Sequence, residues 1–358
     1  MRKHIETIII LLAVAVFLAA THVYITFYTP PSTVKAVRTV TIERGMSFRL
    51  VADGLEKAGV IRDAESFSLA ARILGVYKKV KAGEYEFTTD MPPVDVLELL
   101  VKGKVKRYFV TIPEGYNLRD VAFVLKTAGL AEPEVFMARA TDPELALSLG
   151  VEGPTLEGYL FPDTYEFTRG MKTDEMIARM AGRFIKVYSE FEGEASRHGM
   201  SMRKVVTLAS LIEKETGAPE EREVISAVFH NRLKKGIKLQ SDPTVIYGIN
   251  GFDGNIRKSH LSIKSPYNTY RHYGLPPGPI ANPGRESISA ALRPAKADFI
   301  YFVSRNDGSH QFSRTLKEHN RAVDEFQRQN KAKQEEEKKI VQEKTQGEVV
   351  PAKRAEGQ

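Results

Sequence analysis

Residues 7–27 read TIIILLAVAVFLAATHVYITF and contain no Asp, Glu, Lys or Arg. As a helix, a run of about 21 such residues crosses a hydrocarbon core of roughly 30 Å. Arg2 and Lys3 precede it, and the positive-inside rule then keeps residues 1–6 in the cytoplasm and sends everything after Pro30 to the other side. A cleaved signal peptide would carry a shorter apolar core ending in small residues, whereas this run continues into Tyr24, Ile25, Phe27 and Tyr28. The expectation is one uncleaved helix over 7–28, followed by a short linker over 29–38.

The rest of the chain has ordinary globular composition, with 42% hydrophobic and 27% charged residues overall. A length of 358 residues allows two domains. The formal net charge of +7 suits anionic lipid or a carboxylate-bearing polymer. It would suit nucleic acid equally, but no RNA- or DNA-binding motif accompanies it and no nucleic-acid partner is expected. The absence of cysteine excludes disulfides, thiolate zinc sites and cysteine nucleophiles. No HExxH motif or ligand-spaced cluster of His and carboxylates is present, so neither a metal nor another cofactor is expected.

Two stretches repeat one pattern: TIERGMSFRLVADGLEKAGV (41–60) and TIPEGYNLRDVAFVLKTAGL (111–130). Each reads as a strand, a turn at Gly45 or Gly115, and a helix that stops at Gly59 or Gly129. Between the copies the pattern predicts a helix over 64–74, a strand over 82–88, a helix over 93–101 and a basic patch of Lys102, Lys104, Lys106 and Arg107. The sequence LEGYLFPDTYEF (156–167) alternates aromatics in a manner expected of core.

Residues 204–250 carry the most informative chemistry. Val205, Val206, Leu208, Ala209, Leu211 and Ile212 make an apolar helical face, and Glu213 and Glu215 follow at its edge before Gly217 and Pro219 stop the helix. A carboxyl pressed against apolar side chains loses hydration of its charged form, so it holds a proton closer to neutral pH, as a general acid must. The two glutamates flank the apolar centre on opposite sides, with Glu215 slightly nearer. Spacing leaves both as candidates. Downstream, Gln240, Ser241, Asp242 and Thr244 gather on a turn, with Tyr247 one helical turn later, and Asp242 is placed to cap that helix. His230 and Asn231 lie inside a helix over 221–235 and read as structural.

The linked motifs LASLIEKETG, FHNRL, LQSDPTVIYG, SPYNTY and GLPPGPIANPG are similar, in order, to those of the endolytic murein transglycosylase (YceG-like) family. The resemblance covers the chain from the apolar run to about Gln327. It implies an α+β protein: an N-terminal transmembrane helix, a small LysM-like subdomain over 39–107, and a larger catalytic domain over 108–329. Residues 330–358, rich in Lys, Glu and Gln, read as a disordered charged tail.

The implied activity is cleavage of the bond between N-acetylmuramic acid (MurNAc) and N-acetylglucosamine (GlcNAc) within nascent peptidoglycan strands, leaving 1,6-anhydro ends and terminating elongation. Glu215 is followed by Thr216, similar to the Glu-Ser pair around the acid of soluble lytic transglycosylases, which favours Glu215 as the acid. Glu213, Gln240, Asp242, Thr244, Tyr247, Tyr267 and Asn268 become supporting or substrate-binding candidates, and the resemblance, which places 156–167 in the catalytic domain, keeps Glu157 and Asp163 as candidates for the cleft. The chain has no Trp, so tyrosines must supply most of any sugar stacking. Implied partners are peptidoglycan glycan strands and peptidoglycan synthases. The implied location is the bacterial plasma membrane, with the catalytic domain outside. Two rivals remain at this stage: a hydrolytic muramidase pairing Glu215 with Asp163 or Asp242, and a non-catalytic glycan-binding scaffold.

Overall fold

A computed structural model describes residues 2–328. Met1 and the charged tail expected over 330–358 lie outside the described residues. The fold is mixed α+β, with three two-stranded antiparallel sheets among the described residues.

Helix α1 (Arg2–Tyr28) is followed by β1 (Val37–Ile42), α2 (Phe48–Lys57), α3 (Ala64–Ile73), β2 (Gly83–Thr88) and α4 (Pro93–Lys102). Within α1, Ile5–Tyr28 is 24 residues long and apolar enough to cross a membrane. Local chemistry sets the ends of the short helices. Ser47 accepts the N–H of Leu50 at the start of α2, and Asp63 accepts that of Ser66 at the start of α3. Gly103, at φ +70°, ends α4 in the left-handed conformation that a Cβ would oppose. β1 pairs with β2 from Val37 opposite Thr88 to Ile42 opposite Gly83. Beneath this pair, Leu55, Phe67, Tyr85, Phe87 and Leu100 form a core that also includes Phe27 from α1.

The chain continues through β3 (Tyr108–Thr111), α5 (Leu118–Thr127), α6 (Pro133–Ala140), α7 (Pro143–Ser148), β4 (Thr164–Phe167), α8 (Thr173–Tyr188), α9 (Glu192–Arg197) and α10 (Met202–Glu215). Then come α11 (Arg222–Lys234), α12 (Asp242–Tyr247), α13 (Arg285–Leu292), the hairpin β5 (Tyr301–Ser304) and β6 (His310–Ser313), and α14 (Leu316–Val323). Both copies of the repeat contain the expected strand, turn and helix, with Gly45, Gly59, Gly115 and Gly129 all at positive φ. Between residues 173 and 197 the chain forms two helices, α8 and α9, broken at residues 189–191. The aromatics of 156–167 are core: Tyr159, Phe161, Tyr165 and Phe167 are all buried.

The described chain divides into two compact units. Of the described residues, the first comprises 2–112, 122–136 and 163–177, and the second 113–121, 137–162 and 178–328. In the second unit α10 is central, because every residue from Val205 to Ile212 is buried. The unit is stitched together by Asn282, itself fully buried, which donates to the carbonyl of Tyr116 (2.7 Å) and accepts from the N–H of Leu160 (2.9 Å). Three loops distant in sequence thereby share one side chain. Gly158 (φ +87°) completes the fit, since a Cβ there would run into the ring of Pro279.

Candidate active site

α10 ends at Glu215 because Thr216 is extended and bonds back through its hydroxyl to the carbonyl of Ile212 (2.7 Å). Gly217 then passes so close to the carbonyl of Gly308 that a Cβ would not fit. This abrupt stop leaves Glu215 partly buried at the last helical position. Its Oε1 accepts the hydroxyl of Ser241 at 2.6 Å. Burial, reinforced by the nearby charge of Asp242, pushes the carboxyl up to about 7, and this outweighs the opposing pull of Ser241 and Arg232. The carbonyl end of the helix acts in the same direction, because it disfavours a negative charge.

The turn bearing Ser241 is held from two sides. Arg232, buried on α11, donates to the carbonyls of Leu239 (2.6 Å) and Ile300 (2.6 Å), so one guanidinium fixes the approach to the turn. From the other side, the Gln240 N–H reaches the Thr269 carbonyl (3.2 Å) and the Ser241 N–H reaches the Thr269 hydroxyl (2.9 Å). Between these constraints Gln240 adopts φ +50°, a region a non-glycine residue enters only when its surroundings impose it, and its side chain is exposed. Thr244 is fully buried, donating to the Ser241 carbonyl (2.6 Å) and touching Thr269 (2.8 Å). Asp242 accepts the hydroxyl of Tyr270 at 2.6 Å. Asn268 is also fully buried and donates to the carbonyls of Leu261 and Ile263 (3.0 and 2.9 Å), bracing the loop that carries Tyr267 and Tyr270.

α12 reaches a second carboxyl at its other end, about 7.5 Å along its axis. Tyr247 donates to Glu157 (3.1 Å), and the tyrosine ring lies 4.8 Å from that of Tyr267. Glu157 is only 5% exposed, and both its oxygens accept from the N–H of Leu118 (3.2 and 3.3 Å) at the start of α5. Desolvation pushes it, too, up to about 7 against those bonds.

Glu213, two residues before Glu215, has different partners. It accepts the N–H of Gly284 (2.9 Å) at the start of α13, where the helix favours negative charge. Glu114 lies against the same glycine, and burial together with the charge of Glu213 pushes the Glu114 carboxyl up. Asp163, in the first unit, accepts the N–H of Thr164 (2.8 Å). His230 pairs with the carbonyl of Ala291 (2.9 Å) and Asn231 donates to those of Ala297 and Phe299, in keeping with structural roles.

The structure thus gathers Glu215, Gln240, Asp242 and Thr244 about the Ser241 turn, and Tyr247 and Tyr267 about Glu157. Sequence reasoning missed Arg232, although it lies inside the FHNRL motif, and it missed Glu114 and Asn282. A buried arginine and a buried asparagine were readable only as polar residues within apolar surroundings.

Residues 40–325 match the YceG-like family. The endolytic murein transglycosylase of Bacillus subtilis strain 168 is 33% identical over 308 residues, covering 82% of this chain and 85% of that protein. The protein of the same name from Streptococcus pneumoniae strain D39 is 31% identical over 322 residues, and the match spans 80% of this chain but 58% of the relative. A crystal structure of a yceG-like protein from Listeria monocytogenes superposes with a TM-score of 0.56 at 33% identity, covering 81% of this chain and 100% of the solved one.

Proposed function

The chain belongs to the YceG-like family, and from that membership we propose that it is a membrane-anchored peptidoglycan lytic transglycosylase that cuts glycan strands internally between MurNAc and GlcNAc. The observation that carries this reading is the Glu215 carboxyl, oriented by Ser241 and pushed to about 7 at the end of a buried helix. Such a group is half protonated near neutral pH and regains its proton within the catalytic cycle.

In the proposed reaction the protonated Glu215 donates to the glycosidic oxygen as the bond from C1 of MurNAc to that oxygen breaks. The 6-hydroxyl of the same MurNAc then attacks C1, and the Glu215 carboxylate takes the hydroxyl proton. A 1,6-anhydro ring closes, no water is consumed and the acid is restored. One carboxyl therefore suffices where glycoside hydrolysis ordinarily uses two. Gln240, Asp242, Tyr247 and Tyr267 are the proposed sugar contacts. Thr244 and Asn268, both buried, would support the cleft by bracing its loops. Glu213 is read as the partner of α13.

For the remainder of the chain the proposal follows the order of its parts: a cytoplasmic N-terminus (1–6), a membrane span (7–28), a linker (29–38), a LysM-like subdomain (39–107) and a catalytic domain (108–329). β1, α2, α3 and β2 follow one another in a strand-helix-helix-strand order that supports the LysM-like reading. A cleft in that unit lined by Ser47, Arg49, Arg72, Tyr77 and Lys78 offers polar and aromatic groups to a glycan. The plasma-membrane location with an outward catalytic domain, and work beside peptidoglycan synthases, belong to the same proposal.

Mass spectrometry of products from glycan strands treated with the protein and with Glu215→Gln tests the reading. Internal cuts with 1,6-anhydro ends, lost in the variant, are expected. Reducing ends would mean a muramidase. Binding without cleavage by the unmodified protein would favour the scaffold.

A further inference from the structure

Helix α3 carries apolar side chains on two opposite faces. Ala64, Phe67, Ser68 and Ala71 point into the core of the first unit. On the far side Leu69 and Ile73, one turn apart, are 60% and 77% exposed, and Leu74 beside them is 60% exposed. Isolated exposed leucines need no explanation, but a contiguous apolar face marks a surface with a partner.

The neighbouring element identifies the partner. The last turns of α1 pack beside α3: Phe27 is buried and stacks on Phe67 with centroids 6.1 Å apart, and the His22 ring lies 3.4 Å from the Ser66 hydroxyl. His22, Val23 and Phe27 share one apolar groove with Leu69, Ala70 and Ile73. A membrane crossing counted from Ile5 reaches the outer edge of a ~30 Å hydrocarbon layer near residue 24. That is the stretch already lying against α3. Because Phe27 belongs to the core of the unit, the end of α1 is joined to this edge of the unit by packing as well as through residues 29–38. The flanking residues fit the same level: Tyr24 stacks on Tyr28, and the exposed Lys79 lies just beyond α3. Tyrosines and lysines of this kind anchor at lipid headgroups.

We propose that the face of α3 formed by Leu69, Ile73 and Leu74 is seated in the boundary between headgroups and acyl chains of the membrane that α1 crosses. The occupant is lipid, and the first unit is held against the bilayer. This rests on the reading of α1 as a membrane span, and the test separates the two.

The chain has no cysteine, so Leu69→Cys and Ile73→Cys each give one labelling site in the full-length protein. Leu12→Cys reports on the span, and Leu147→Cys, 77% exposed in the second unit, reports on water. Each variant is labelled with an environment-sensitive fluorophore in phosphatidylethanolamine/phosphatidylglycerol vesicles, after thermal unfolding has verified the fold. The expected result is a blue-shifted label at positions 69 and 73, quenched by lipids with a nitroxide high on the acyl chain, and several-fold less sensitive to aqueous iodide than the label at 147. Iodide-sensitive labels at 69 and 73, with lipid quenching at 12, would overturn the docking and leave the span intact. Absence of lipid quenching at 12 would overturn both. Labels at 69 and 73 shielded from iodide and nitroxide alike would assign the face to a protein and sink the lipid proposal.

Discussion

Glu215 and Glu157 are both pushed to about 7, with desolvation the first cause in each. Their surroundings otherwise differ. Glu157 is 5% exposed, and its oxygens receive the N–H of Leu118 and the hydroxyl of Tyr247. Glu215 is only partly buried and receives one hydroxyl, that of Ser241, on Oε1. A shifted carboxyl alone does not identify an acid catalyst. One whose two oxygens are both engaged by the fold ties it together, while one oriented through a single oxygen can exchange a proton with a substrate.

The largest effect that tests this contrast is on turnover. Glu215→Gln is expected to lower the cleavage rate about 100- to 10,000-fold with the melting temperature nearly unchanged. In the unmodified protein the donor form of Glu215 is expected to disappear as pH rises through about 7, and the cleavage rate to fall on that side. A rate in Glu157→Gln as low as in Glu215→Gln, with the fold intact, would erase the distinction between the two carboxyls.

Next in size is stability at Glu157. Glu157→Leu strands the buried N–H of Leu118 and takes the acceptor from the Tyr247 hydroxyl, a loss of about 1–3 kcal/mol visible in urea unfolding, whereas Glu157→Gln keeps an acceptor and loses less. The raised value also fixes a sign. The folded state binds this proton more tightly than the unfolded state, so the contribution of Glu157 to stability is fullest at low pH. It declines as pH rises from the ordinary carboxylate range through about 7, and Glu157→Gln should flatten that decline in melting temperature.

Ser241→Ala sharpens the contrast from the other end. Removing the bond that orients Glu215 should slow cleavage about 10-fold, equivalent to ~1.4 kcal/mol. Because that bond holds the carboxyl down, its loss moves the alkaline limb of the rate profile upward. An unmoved limb would mean that Ser241 does not touch the titrating acid.

The smallest effect is expected at Glu213. Glu213→Gln retains an acceptor for Gly284 and loses only a charge at the start of α13, at a stability cost below about 1 kcal/mol and with near-normal cleavage. A large loss of rate there would transfer the acid role to Glu213.

Much of this was readable in the chain itself. The uncharged run of 7–27, the repeated strand-turn-helix with its glycines, and the apolar period of α10 each depend on neighbours a few residues away, and local spacing records such relations directly. The pair Glu213 and Glu215 was likewise visible at the edge of a buried helix. Their separation was not, because it depends on groups far along the chain: Gly284 for one, and Ser241, Asp242 and Arg232 for the other. The same holds for Asn268 and Thr244. By type they suit sugar binding, and by position they are buried braces of the loops around Glu215. Sequence by itself determined the membrane-spanning pattern, the elements and the motif order, all set by local periodicity and turn chemistry. Tertiary structure alone decided which carboxyl Ser241 orients and which one Leu118 and Tyr247 tie into the fold, since burial and hydrogen-bond partners arise only where distant loops meet.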